Sequence, residues 1–362
     1  MRNNKYSDYK IFHFEDKINS FKKNIITPPI YVRIKPTNLC NHGCFFCVYS
    51  TGFRPKDKEN HVITGMHSDI KEKDTIPTLK LMETLDDLKE LGVKAITYSG
   101  GGEPLLYKDI VNVMQKTLSY NIDLSIITNG QLLNGDRAAV LSKAKWVRIS
   151  MDYSNSRQMI DSRNVSGKSF DEVIRNILSF SKIKRRSCDL SVNYIIHNKN
   201  FHNLYDFTSF LKDNGVENIR YSPMWVPNFY EYHLKIVKDV QRELDKASVL
   251  IDESFTVNTT YNISPDSSHS ISRSYEKCYI MQTVPVIGAD MNVYACHNKA
   301  YDNNGKIGSI SNMRFMEMWL SDETKDFFNK FNPKESCMHE CANDRKNILI
   351  NSFLDANVDN FV

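Results

Sequence analysis

The chain has 362 residues, of which 41% are hydrophobic and 25% charged, and its 47 Lys and Arg against 43 Asp and Glu leave a net charge of +4. This composition suffices for about two domains, excludes intrinsic disorder, and is too balanced to announce a nucleic-acid binder. No apolar run approaches the roughly 18 residues needed to span a bilayer, and the N-terminus MRNNKYSDYKIFHF lacks the apolar stretch of a signal peptide; a cytoplasmic protein without membrane or nucleic-acid partners is expected.

Residues 1–30 form an N-terminal extension. From Tyr31 to about residue 230, short segments rich in Val, Ile and aromatic residues predict strands at Tyr31–Lys35, Val93–Tyr98, Asp123–Thr128, Trp146–Met151, Asp189–Ile196 and Asn218–Tyr221. Helical patterns lie between most of them, at Leu79–Leu91, Asp109–Tyr120, Phe170–Lys182 and Leu204–Asn214, with Gly92 and Gly215 placed as C-terminal caps. Strand–helix alternation of this kind predicts an α/β fold with a parallel sheet, and six units suit an open, partial (β/α)6 TIM barrel. Residues 53–76 form a polar insertion near the barrel mouth, either a lid or a solvated loop. Residues 231–275 are expected to be a helical linker, with one amphipathic helix over 232–250. A small α+β module follows over 276–347, then a tail over 348–362.

The ends of the predicted strands carry the chemistry. They continue into PTNLCNHGCFFC, SGGGEP, NGQ, DYS, HNKN and PMW, so polar, glycine-rich or thiol-bearing residues from separate segments converge on one rim, where parallel β/α folds place their sites. Reduced cysteines clustered in a cytosolic chain bind metal more often than they form bridges. Cys40, Cys44 and Cys47, spaced C-x-x-x-C-x-x-C, can hold three irons of a [4Fe–4S] cluster and leave the fourth open; a zinc site made with His42 is the alternative.

The stretch Cys40-Asn41-His42-Gly43-Cys44-Phe45-Phe46-Cys47, following a first strand, resembles the cluster loop of the radical S-adenosylmethionine (radical SAM) enzymes. Ser99-Gly100-Gly101-Gly102-Glu103-Pro104, one unit later, resembles the glycine-glycine-glutamate stretch of the same family. The resemblance implies that Gly100, Gly101 and Gly102 let backbone approach bound S-adenosylmethionine (SAM) and that Glu103 meets its amino group. It further implies that Ser150, with Asn129 and Asp152, binds ribose hydroxyls or the methionyl carboxylate, that Phe46 lies against adenine, and that Arg163 pairs with a carboxylate. Phe46 as loop packing and Arg163 as a surface residue are the alternatives.

Cys278 and Cys296 flank a predicted hairpin turning at Gly288–Asn292. A Gly305-Lys306-Ile307-Gly308 segment, a helix near Met313–Leu320 and the pair Cys337 and Cys341 follow. This order resembles the auxiliary-cluster modules called SPASM and twitch. The four cysteines imply the shorter, twitch-like form with a second, fully ligated [4Fe–4S] cluster; a four-Cys zinc site is the alternative. The resemblance spans about residues 31–347.

The family likeness implies reductive cleavage of SAM and hydrogen abstraction from a substrate carbon, with electrons from a donor such as flavodoxin or ferredoxin. A two-electron oxidation of a sugar-like or other small hydroxylated metabolite is expected. Modification of a ribosomally made peptide is the second reading, although 30 N-terminal residues are too few for a leader-binding domain. A non-catalytic iron–sulfur or zinc scaffold is the third. Asp152, Tyr153 and His197 are candidates by position for accepting a hydroxyl proton, with a satisfied structural histidine the favoured alternative for His197. Cys188, outside both Cys sets, is either a buried structural residue or a hydrogen donor for epimerisation; its place at the start of a strand, opposite the rim, favours the former.

Overall fold

A computed structural model describes residues 7–49, 67, 69–226, 228–263, 273–337 and 341–356. Its centre is a parallel sheet of strands β1 (Tyr31–Ile34), β2 (Ala95–Tyr98), β3 (Asp123–Thr128), β4 (Trp146–Ser150), β5 (Asp189–Ile196), β6 (Asn218–Pro223) and β7 (Thr256–Thr259), adjacent in sequence order. Helices Thr78–Glu90, Ile110–Ser119, Lys168–Ile183 and Leu204–Asp213 connect them as expected, and a shorter helix, Gly135–Leu141, fills the connection between β3 and β4.

Alternation along the strands decides which way each side chain faces. Val32 and Ile34, Leu124 and Ile126, Val147 and Ile149, and Leu190 and Val192 are buried in one core with Leu81, Leu85, Val113, Ile177, Phe180 and Leu211 of the helices. Each such side chain contributes about 1.5–3 kcal/mol. The residues between them, among them Arg33, Arg148, Asn193 and Arg220, face the other way and line the barrel interior.

The region 231–275 is more than a helical linker. The single helix expected over 232–250 is two, Phe229–Leu234 and Val237–Ser248, and β7 then adds a seventh parallel strand, pairing Ile219 with Val257. The stretch 253–261 lacks the length for a helix, and its Thr and Val residues suit an edge strand.

The C-terminal module does not stand apart either. Its hairpin, β8 (Val286–Ile287) and β9 (Asn292–Tyr294), turns where expected, with Gly288 N–H donating to Asn292 O at 2.8 Å and Met291 at φ 63°. β8 pairs parallel with β1 through Arg33 and Ile34, and β10 (Lys306–Ser309) completes a ten-stranded sheet. The boundary expected at residue 348 falls inside helix Asp344–Asp355, whose Ile350 packs with Ile11, Ile18 and Phe21 of the N-terminal segment. Residues 53–66 of the insertion lie outside the described residues. Its end is anchored: Thr75 bridges to Thr37, and Asp69 N–H donates to Tyr301 O at 3.1 Å.

Candidate active site

The carboxyl ends of the parallel strands surround a cavity of about 660 Å³. Cys40, Cys44 and Cys47 all border it, on a loop that starts at the end of β1. Backbone bonds clamp that loop onto helix Ser156–Arg163: Gly43 N–H donates to Arg163 O at 2.8 Å and Phe45 N–H to Ser162 O at 3.1 Å. The amide of His42 points at Cys40 Sγ from 3.5 Å, the kind of contact that tunes a ligating sulfur. His42 turns away from its neighbouring thiols, its Nε2 lying 2.9 Å from Gln131 Oε1.

The Gly100–Gly102 turn crosses directly beneath the Cys loop. A Cβ on Gly102 would overlap the carbonyls of Leu39 and Asn38, so close approach of two backbones excludes any side chain there, and one on Gly101 would overlap the side-chain Oδ1 of Asn38. Lys35, fully buried, donates from Nζ to Gly100 O; burial, and then the charge of Arg33, hold its ammonium well below the ordinary lysine value. Glu103 accepts from Leu105 N–H at 3.0 Å, Thr128 Oγ1 at 2.6 Å and Asn129 N–H at 2.7 Å. An ionised carboxylate has about four acceptor positions, so one remains for a donor in the cavity. Burial raises its pKa, against the pull of those three donors.

Asn129, Ser150, Asp152, Arg163 and Phe46 line the same cavity. Asn129 spends its side chain tying the Cys loop down, donating to Asn41 Oδ1 at 2.7 Å and accepting from Gln131 N–H at 3.0 Å. Asp152 and Arg163 form a buried ion pair, and Arg163 lies 5.8 Å from the centre of the Phe46 ring. Asp152 Oδ2 and Ser99 Oγ are buried without a partner beside the cavity, as expected of atoms that await a ligand.

Two of the three proton-acceptor candidates lie behind the cavity wall. Tyr153 is fully buried, packed on Phe170 with ring centres 6.0 Å apart and on Arg163. His197 props the Cys loop from behind, edge-on to Phe45 with ring centres 5.2 Å apart, and burial holds its imidazole down at about 4. Strand geometry is the reason: β4 and β5 end just before these residues, and both side chains turn into the packed interior. Only Asp152 faces the cavity. Cys188 is likewise fully buried, its thiol 3.6 Å from Leu141 O at the start of β5, away from the rim.

Cys278, Cys296, Cys337 and Cys341 border one small enclosed space in the C-terminal module. Asn347 Nδ2 donates to Cys278 Sγ at 3.2 Å, and Asn343 N–H to Cys341 Sγ at 3.4 Å. Burial pushes the Cys296 thiol up to about 12, so a positive centre is needed to keep it as thiolate. None of the eight cysteines, all of them among the described residues, forms a disulfide. Among the described residues no three Cys, His, Asp or Glu side chains converge tightly enough to grip one metal ion; the thiols border spaces instead, an arrangement compatible with a cluster whose irons occupy separate corners. His297 and Ala342, each next to a module cysteine, line the large cavity, so the module reaches its wall.

Sequence reasoning missed Arg33, Lys35, Tyr49, Arg148, Arg220 and His297 at this site. For the arginines a signal existed: each sits between two apolar residues of a strand, as V-R-I at 32–34, V-R-I at 147–149 and I-R-Y at 219–221. A charge at every second position of a barrel strand points inward.

Among known proteins, the pattern of the radical SAM superfamily matches residues 34–210, and that of an iron–sulfur cluster-binding domain, SPASM, matches residues 278–343. The protein therefore belongs to the radical SAM class of enzymes, which use a [4Fe–4S] cluster and SAM. More particularly, it is a radical SAM enzyme with a C-terminal SPASM-type domain for auxiliary iron–sulfur binding. A GTP 3′,8-cyclase of Limosilactobacillus fermentum is 27% identical over 195 residues, covering 53% of each chain, and one of Desulforamulus reducens is 29% identical over 200 residues, covering 54% of each. The chain thus spans about half the length of the curated relatives it matches. The fold is also that of Streptococcus suis SuiB bound to S-adenosylmethionine, with a TM-score of 0.64 and 19% identity over 92% of this chain and 76% of SuiB. It is likewise that of anSMEcpe with bound AdoMet, with a TM-score of 0.56 and 18% identity over 83% of each. Among the described residues no helix is long and apolar enough to cross a membrane.

Proposed function

We propose that this chain uses SAM to oxidise a small, hydroxylated, sugar-like substrate by two electrons. Cys40, Cys44 and Cys47 hold the SAM-binding cluster, and Cys278, Cys296, Cys337 and Cys341 hold a single auxiliary one. The observation that carries this is the meeting of the three loop thiols, the Gly100–Gly102 turn and Glu103 on one cavity, with residues adjoining Cys296 and Cys341 on the same wall. When bound, the reduced cluster and SAM supply a 5′-deoxyadenosyl radical that removes a hydrogen atom from carbon, and the auxiliary cluster supplies electron transfer.

The protein's own residues do the rest. Glu103 offers its remaining acceptor position to the SAM amino group, and the three glycines let backbone approach the nucleotide. Ser150 and Asn129 supply polar contacts for its ribose or carboxylate, and Phe46, steadied by Arg163, covers the adenine. Asp152 Oδ2 accepts the proton of a substrate hydroxyl; Arg163, bonded to the other oxygen, keeps the carboxylate oriented. Cys188 cannot return a hydrogen atom from its buried position, which favours oxidation over epimerisation.

A peptide substrate is the second reading. SuiB bound to its precursor peptide SuiA shares the fold, with a TM-score of 0.63 over 93% of this chain and 75% of SuiB.

Anaerobic reconstitution tests the reading. About eight irons per chain are expected, falling to about four in Cys40→Ala or Cys296→Ala. With dithionite, or with flavodoxin or ferredoxin as the electron donor, SAM is expected to yield 5′-deoxyadenosine in the wild type and none in Cys40→Ala. No release at full iron loading would favour a non-catalytic scaffold, and zinc in place of iron would overturn the assignment.

A further inference from the structure

One feature of the cavity is unused by the chemistry above. The cavity that Ser150 and Asp152 border is also lined by three arginines from three separate strands: Arg33 of β1, Arg148 of β4 and Arg220 of β6. The strand register places them on one face. Arg148 pairs with Ser191 and Arg220 with Asn193, and these two partners are consecutive same-face residues of β5. Arg33 pairs with Thr97, which pairs with Ser125, which pairs with Trp146, two residues before Arg148 on the same face.

A charged residue in a strand interior is costly unless something meets it. Arg33 donates from Nε to Tyr31 Oη at 3.1 Å, and Arg148 lies 5.0 Å from the centre of the Trp146 ring. Aromatic neighbours hold these two guanidiniums in place on residues that border the cavity. Lys346 lies near this end too: burial lowers its ammonium's pKa, Asp8 raises it, and Arg33 and Arg220 lower it further. The acids that border the cavity are engaged or peripheral: Glu103 holds three donors, Asp152 is paired with Arg163, and Glu72 sits exposed at the rim. A low-dielectric cleft lined this way focuses a positive potential on whatever enters.

We propose that Arg33, Arg148 and Arg220 form an oxyanion-binding floor, so that the substrate is a small molecule bearing a phosphate or carboxylate group. That group seats on the three guanidiniums, while the hydroxylated part extends up to Asp152 and the Cys loop. Planar guanidiniums match both oxyanions through paired N–H donors. This assignment rests on the reading of the cavity as a substrate site and names the class of substrate it takes.

The test is anaerobic calorimetric titration of the full-length, cluster-loaded protein with SAM present, using inorganic pyrophosphate in one arm and citrate in the other. Binding of at least one is expected, and the tighter arm identifies the group as phosphate or carboxylate. Arg148→Gln and Arg220→Gln are each expected to weaken it about tenfold or more, whereas Arg157→Gln, on an exposed helix position, leaves it unchanged. If a Gln variant loses the wild-type cluster absorbance, Arg148→Lys and Arg220→Lys replace it; they keep the charge, lose the fork, and are expected to weaken binding several-fold. Failure of the wild type to bind either anion, equal loss in Arg157→Gln, or binding only of an acidic decapeptide would overturn the proposal. Release of 5′-deoxyadenosine by the wild type is scored separately. Anion binding without that release would overturn the catalytic reading and leave the anion site standing; release without anion binding does the reverse.

Discussion

Tyr49 Oη lies 3.0 Å from Nδ1 of His297, and this bond joins the chain two residues past Cys47 to the residue after Cys296. The Tyr49 ring also covers Lys35 Nζ at 4.0 Å and packs against His67 with ring centres 4.4 Å apart. One side chain thus ties together the Cys loop, the lysine that holds the glycine turn, the end of the polar insertion and the C-terminal module. Burial, then the charges of Lys35 and Arg33, keep His297 well below the usual histidine range, so it stands here as a neutral ring that needs a polar partner.

Tyr49→Phe is therefore expected to destabilise the protein by about 1–3 kcal/mol, the cost of stranding a buried polar group. Urea unfolding of the cluster-free chain measures this; a loss below about 0.5 kcal/mol would mean that the bond does not tie the two regions.

The ion pair of Asp152 and Arg163 is nearly inaccessible to water, with side chains 1% and 4% exposed. Asp152→Ala leaves the guanidinium buried without its counter-charge and is expected to cost about 3–5 kcal/mol. Asp152→Leu with Arg163→Met, which removes both charges, is expected to cost less than Asp152→Ala alone. Equal losses in the two proteins would show that packing, not charge, governs this pair.

Gly102 faces the carbonyls of Leu39 and Asn38, which cannot move without moving the Cys loop. Gly102→Ala is expected to weaken SAM binding at least tenfold, equivalent to about 1.4 kcal/mol, in equilibrium dialysis of the cluster-loaded protein. Gly167→Ala, whose new methyl meets only Ser156 Oγ at 3.5 Å and Ile160 at 3.7 Å, is expected to bind SAM as the wild type does. An unchanged affinity in Gly102→Ala would separate the glycine turn from the nucleotide.

His197 titrates at about 4 in the folded chain because burial opposes its charge, against an ordinary value of 6.5. Between these values the unfolded chain binds a proton that the folded chain does not. Stability from this residue is therefore fully present above pH 6.5 and is lost as the pH falls toward 4, by about 3 kcal/mol at most. Denaturation at pH 7 and pH 4.5 is expected to show a smaller acid loss in His197→Gln than in the wild type. Identical slopes would mean that the ring is already charged in the fold.

Much of the site was legible beforehand because it is local. The eight residues from Cys40 to Cys47 keep three thiols within reach of one another in any fold, and Ser99–Glu103 follows a strand whose apolar pattern is unmistakable. Tyr153 and His197 were legible only as neighbours of strand ends; which way a residue turns just past a strand depends on what packs there, and Phe170 and Phe45 come from elsewhere in the chain. Strand β7 escaped notice because four edge residues carry too short a pattern to stand out from a loop.

The amino-acid order by itself determined the class of chemistry and the parallel α/β frame, since both are written in short-range spacing: thiols three and four residues apart, glycines after a strand, apolar residues in twos and in threes and fours. Only the tertiary structure decided that the C-terminal hairpin extends the barrel sheet, that residues adjoining two module cysteines border the cavity of the Cys loop, and that Arg33, Arg148 and Arg220 line that same cavity. Those relationships join segments up to hundreds of residues apart, and pairing register, which no local pattern specifies, sets the face on which each side chain emerges.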